Sequence, residues 1–255
     1  MYKRQFLAGA LCGLLFAVLT VSLQANQNIT GLTLTTFGLG VYFFVGNGLK
    51  AKGWPVMGEY PGIKEGFADL PIPFLSGIPL IGQGLFSHNI LVYLGVAIAI
   101  GMWWYLNHTT PGLQLRAVGE NPATADSAGI NVNRYKYLAT CLGCMIAGLG
   151  GLYYVMDYAS GIWANDAFGD RGWLAIALVI FAVWKPNISI FGSILFGGLL
   201  IVHNYIPTLT MASQEIFKMT PYVVTIIVLI VISMKRKREN LPPASLGLSY
   251  FREER

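Results

Sequence analysis

Apolar residues gather into long runs along this chain, separated by shorter polar stretches. The runs cover about 6–24, 28–48, 88–107, 136–157, 171–185, 188–206 and 220–234, and charged residues fall only at their ends. A bilayer core takes about 20 consecutive apolar residues per helix. A spanning segment also has to satisfy its own backbone hydrogen bonds. The pattern predicts an all-α, polytopic transmembrane helix bundle with about seven spans. The fifth run is short for a crossing and stops at Lys185-Pro186, which ends a helix. Residues 49–87 carry Pro55, Pro61, Pro71, Pro73 and Pro79, so they are not one long helix.

Charge then sets orientation. Lys235, Arg236, Lys237 and Arg238 follow the last run, and basic residues favour the cytoplasmic side. The tail 235–255 is therefore expected inside. Counting back puts 207–219 outside, Lys185-Pro186-Asn187 inside, 158–170 outside and 113–134 inside. Arg116 and Arg134, with Lys136 just beyond, suit an inside loop, whereas "ASGIWANDAFGD" carries acids and no base. The fifth run has to cross for these loops to keep their sides. The N-terminus then falls outside although it carries Lys3 and Arg4, which leads to the expectation of further natural sequence upstream.

Composition agrees: 55% of the 255 residues are hydrophobic and 11% are charged, against about 25% charged in soluble domains. The net charge of +5 lies in loops and tail, which speaks for orientation and against nucleic acid. Cys141 and Cys144 form a C-x-x-C, a spacing that elsewhere signals redox or zinc chemistry. Here it sits in an apolar run without a nearby histidine or acid, so both, like Cys12, are read as small packing residues. The opening "MYKRQFLAGALCGLLFAVL" resembles a signal peptide but lacks a clear cleavage site, and is read as a retained helix. Small residues recur at helical spacing at Gly9 and Gly13, at Gly143, Ala147 and Gly151, and at Ser189, Ser193 and Gly197. Such stripes let helices approach closely in lipid; lining a passage is the alternative.

Ion-coupled carriers place acids, histidines or bases near the midplane. Here Asp157, Arg171 and Lys185 stand at boundaries, His88 and His108 at helix ends, and His203-Asn204 towards an outer end. "VGNGLK" at 45–50 lacks the spacing and hydroxyl of a phosphate-binding loop. Neither a metal-ligand set nor a nucleophile elbow is present. The chain is thus expected to be no enzyme and to hold no metal or cofactor; active transport would draw its energy from another subunit.

The stretch "LRAVGENPATADSAGINVNRYKY" at 115–137 is the least apolar long one. Asn121 suits an N-cap whose side chain accepts from an N–H one or two residues into the helix. Pro122 suits the first helical position, Ala123–Ala128 continue the helix, and Gly129 suits a left-handed stop. Ala125 and Ala128 would offer a close-approach face, with Glu120 and Asp126 adding charge. A helix this short is marginal alone and needs a neighbouring surface.

This loop resembles the cytoplasmic loop of ABC importer permeases of the branched-chain amino acid, simple-sugar and nucleoside type, through Leu115–Pro122, Ala125, Ala128–Val132 and Tyr137–Ala139. Further likeness lies in "FAVLTVSLQANQNITGLTLTTFGLGV" with Asn28, Gly31 and Leu32, and in "IPLIGQGLFSHNILVYL". Arg171-Gly172, Trp184, Pro186 and Gly192 also match, with Ala182 where glycine is usual. The tail "LPPASLGLSYFREER" matches at Pro243, Leu246-Gly247 and Tyr250. The family's early "NIGLEG"-like segment is absent.

The resemblance implies one transmembrane permease domain over 1–255, with a coupling loop at 113–134 holding a short cytoplasmic coupling helix. Gly119, Glu120, Asn121, Pro122, Ala125, Asp126, Ala128 and Gly129 would meet an ATP-binding subunit, which itself binds ATP and Mg. It further implies a second permease subunit, identical or not, an external substrate-binding lipoprotein, and a bacterial plasma membrane. Likeness to the nucleoside branch makes a nucleoside the first choice of solute, simple sugars the second and branched-chain amino acids the third. A passive channel or a non-transporting scaffold is the competing class.

Overall fold

The computed structural model describes residues 2–53, 69–71, 86–159, 168–169, 171–206, 211–235 and 241–251. The helices are α1 (Tyr2–Ala17), α2 (Gln27–Ala51), α3 (Ile90–His108), α4 (Thr110–Glu120), α5 (Pro122–Ser127), α6 (Val132–Tyr153), α7 (Arg171–Phe181), α8 (Pro186–Ile201), α9 (Met211–Lys218) and α10 (Thr220–Lys235). π-helical turns extend α1 over Val18–Ser22 and α6 over Tyr154–Tyr158, and a 3-10 turn follows α8 at Val202–Tyr205. Leu70–Pro71 (β1) and Ser87–His88 (β2) form a short antiparallel pair. The protein is a polytopic all-α membrane protein. Most of the proline-rich stretch, of the acidic loop and of the basic run after Lys235 lies outside the described residues.

Among the described residues, five helical stretches are long and apolar enough to cross a membrane: Lys3–Ser22, Gln27–Ala51, Ile90–His108, Val132–Tyr158 and Ser213–Val231. The crossing expected for 171–185 is not made by one continuous helix. With 11 residues, α7 covers about 16 Å of a core about 30 Å thick. The physical reason lies at its end. Val183 N–H donates to the Ile180 carbonyl and Trp184 N–H to the Val179 carbonyl, the paired bonds of a Schellman stop. Val183 (φ 53°) and Trp184 (φ 59°) are both left-handed, and Val183 occupies the place glycine normally takes. Lys185 is then extended, as a residue before proline prefers, and Pro186 opens α8.

The described residues fall into two compact units. In the first, α1 packs along α6. A methyl group built on Gly9 would lie 2.6 Å from the Cys144 carbonyl oxygen, and one on Gly13 would lie 2.8 Å from Cys144 Cβ. A methyl group built on Gly148 would lie 3.2 Å from the Gln5 carbonyl oxygen. The Gly9–Gly13 stripe is thus a packing seam, and the C-x-x-C forms part of its opposite wall as free thiols. The stripe at Gly143, Ala147 and Gly151 does not form that wall: Gly143 and Gly151 have open space, and Cys141, Cys144 and Gly148 make the contact.

In the second unit, α7 packs against α8 and α10. Gly192 of α8 admits Leu178 and Phe181, with Leu178 Cδ1 at 2.7 Å from a methyl built there. The Phe181 and Phe196 rings meet edge to face at 5.3 Å. This contact replaces the expected Ser189–Ser193–Gly197 stripe. Ser189 and Ser193 donate to the Pro186 and Ile190 carbonyls of their own helix, and Gly197 has open space.

Candidate functional site

The short helix stands where local chemistry puts it. Asn121 breaks α4 with extended backbone (φ −148°, ψ 94°), and its side chain accepts from Thr124 N–H at 3.0 Å. That amide is the third of the helix, an ordinary target for an N-cap side chain. The stop is a second Schellman arrangement: Gly129 N–H donates to the Asp126 carbonyl and Ile130 N–H to the Ala125 carbonyl, both at 3.0 Å. Gly129 has φ +83°, a conformation glycine adopts without steric cost. Next, the Asn131 side chain accepts from Arg134 N–H at 2.9 Å and caps α6. That cap was overlooked, although asparagine three residues before Arg134 at the head of an apolar run is a legible start signal.

Val118 of α4, Ala125 of α5 and Val132 of α6 form a small core, each 3% exposed, with Ala117, Ile130, Tyr135 and Tyr250 packed around it. Tyr135 OH bonds the Gln114 side chain behind this core. The short helix rests on a core of this chain's own residues, and one expectation changes. Ala125 is turned into that core, 3% exposed, and is not a free close-approach face. Asn121, Thr124, Ser127, Ala128 and Gly129 are the exposed positions. Glu120 is exposed, while Gly119, Pro122 and Asp126 are half-buried.

Part of the core comes from the far end of the chain. Tyr250 OH donates to Asp126 Oδ2 at 2.8 Å. Ser245 N–H donates to the Gly119 carbonyl at 3.0 Å, and Ser245 Oγ to the Glu120 carbonyl at 3.3 Å. The tail also reaches the α1–α2 turn, where Gln24 is left-handed at φ 54°. A cavity of about 340 Å³ opens between Gln24, Asp126, Gly129–Asn133 and Tyr250. It is a polar recess between the short helix, the head of α6 and the tail. Among the described residues no three histidine, cysteine or acidic side chains converge as metal ligands.

The family described as branched-chain amino acid transport system, permease component, matches residues 5–229. The nucleoside ABC transporter permease protein NupC of Lactococcus lactis is 32% identical over 252 residues, covering 97% of this chain and 76% of the relative. The guanosine ABC transporter permease protein NupQ of Bacillus subtilis is 32% identical over 230 residues, covering 87% and 69%. The putative glucose ABC transporter permease protein TsgC13 of Haloferax volcanii is 30% identical over 279 residues, covering 99% and 82%. No solved structure matches the chain. With the family matched over nearly the whole bundle, this chain belongs to the branched-chain amino acid transport system permease family, the membrane-spanning components of ABC importers.

Proposed function

We propose that this permease forms the translocation pathway for a nucleoside in the bacterial plasma membrane, and that α5 is the helix through which an ATP-binding subunit drives it. The observation that carries the solute is the 32% identity to two relatives whose names specify nucleoside and guanosine, over 97% and 87% of this chain. The 30% identity to a glucose-type permease favours a simple sugar as the second reading. The coupling role is supported by the bracketed geometry of α5, capped at Asn121, stopped at Gly129 and carrying Thr124, Ser127 and Ala128 outward. ATP and Mg belong to the partner subunit, and a second permease subunit and an external binding protein complete the importer. Closure of the ATPase pair would displace α5, and the attached bundle would alternate between outward and inward access.

The test is uptake into vesicles holding the permease pair, the ATPase and the binding protein. ATP-dependent uptake of labelled guanosine, competed by adenosine and not by glucose, is the expected result. Glucose uptake that guanosine does not compete would replace the first reading with the second. Uptake following a proton gradient with ATP absent would remove the ATP-driven reading altogether.

A further inference from the structure

We infer that the C-terminal segment Ser245–Tyr250 is a clasp tying the short helix to the α1–α2 turn, with Tyr250 as its positioning residue; this rests on the coupling role proposed above. The last carbonyls of a helix lack partners within it. At the end of α4 two of them, from Gly119 and Glu120, are taken up by Ser245 through its amide and its hydroxyl. The segment turns at Gly247 (φ +77°). The Leu248 carbonyl then accepts from Gln27 Nε2 at 3.3 Å and Lys136 Nζ at 3.4 Å. Its hold on the α1–α2 turn is reciprocal: Ser249 Oγ donates to the Gln24 carbonyl, and Gln24 Nε2 donates to the Tyr250 carbonyl.

Tyr250 joins the two ends of this tie. Its ring packs on the Val118–Ala125–Val132 core, its hydroxyl holds Asp126 of the short helix, and Lys136 Nζ stands 5.9 Å from the ring centroid. A segment that merely covered apolar surface would bury its leucines. Leu246 and Leu248 are instead 54% and 59% exposed, and the attachment runs through directional hydrogen bonds. Such bonds fix distance and angle, which is what a transmitting link needs. Displacement of α5 is thereby passed to the first two spans as well as to α4 and α6.

The experiment uses the full importer in vesicles and reads labelled guanosine delivered per ATP hydrolysed. Tyr250→Phe keeps the ring in the core and removes only the hydroxyl. It is expected to lower the ratio by about tenfold, the scale set by a hydrogen bond to a charged group. Asp126→Leu should lower it at least as much, and the double variant should be no worse than Asp126→Leu, because the Tyr250 hydroxyl then has no carboxylate left to release. Asp126→Asn retains an acceptor but loses the charge, and should lower the ratio by less than Asp126→Leu. An unchanged ratio in Tyr250→Phe, or losses that simply add in the double variant, would overturn the clasp. Those results presuppose a coupled wild type; a wild-type complex with no ATP-dependent uptake would instead defeat the reading beneath it.

Discussion

At Gly129 the backbone is left-handed, yet nothing lies within 4 Å of where a Cβ would stand. A substitution there meets a conformational penalty and no steric one. Gly129→Val is therefore expected to reach the membrane at normal levels and to lose most transport, since a left-handed β-branched residue costs roughly 1–2 kcal/mol or more. Gly129→Asn should recover much of it, because asparagine tolerates that conformation; equal loss in both, by uptake at matched expression, would rule out a backbone cause. Ala125→Glu should also abolish coupling, for a reason the helical spacing could not supply. It forces a carboxylate between Val118 and Val132, where an unpaired charge is very costly, so the short helix should unseat and become protease-sensitive in the wild-type background of partners. The cap, the proline and the stop were legible because each is decided within four residues. The inward face of Ala125 was not, because Tyr250 lies 125 positions away and six helical residues carry too little periodicity to say which side is covered.

Element boundaries show the same division. The run 171–185 is apolar to Trp184, so hydropathy extends the helix to the proline. The chain has already reversed at Val183, without the glycine that usually announces such a stop. Two substitutions separate strain from packing there. Val183→Ala and Val183→Gly both discard the half-buried isopropyl group, but only glycine relieves the left-handed backbone. The glycine variant should be the more stable by about 1 kcal/mol in detergent melts, opposite to the order found inside an ordinary helix. Helix contacts follow suit. Gly9→Ala should lower the melting temperature sharply, because its methyl would meet the Cys144 backbone, whereas Gly143→Ala, facing open space, should leave it nearly unchanged. The small-residue pattern announced a seam; which residues stood opposite depended on helix rotation, which the spacing alone does not set.

At the scale of the molecule, the fold class was written in the apolar runs, since lipid permits so few ways of spanning it. Helix lengths within the runs were less legible, since hydropathy does not register where the backbone turns. The α1–α2 turn, the short helix and the tail are joined by direct hydrogen bonds, so they are expected on one side of the membrane. In a background without the native cysteines, single cysteines at Leu23, Ser127 and Leu246 should all label from the cytoplasmic face with a membrane-impermeant maleimide. Labelling of any one from the opposite face would break the topology. The glycine seam carries a mechanical consequence for this arrangement. With Gly9 and Gly13 set against the Cys144 backbone and side chain, sliding α1 along α6 by even one residue, about 1.5 Å, would drive side chains into main chain. The first span is therefore a passenger riding on α6: under the coupling role proposed for α5, a push delivered at the Asn131 cap would move both as a single rod, with no slack to absorb the stroke.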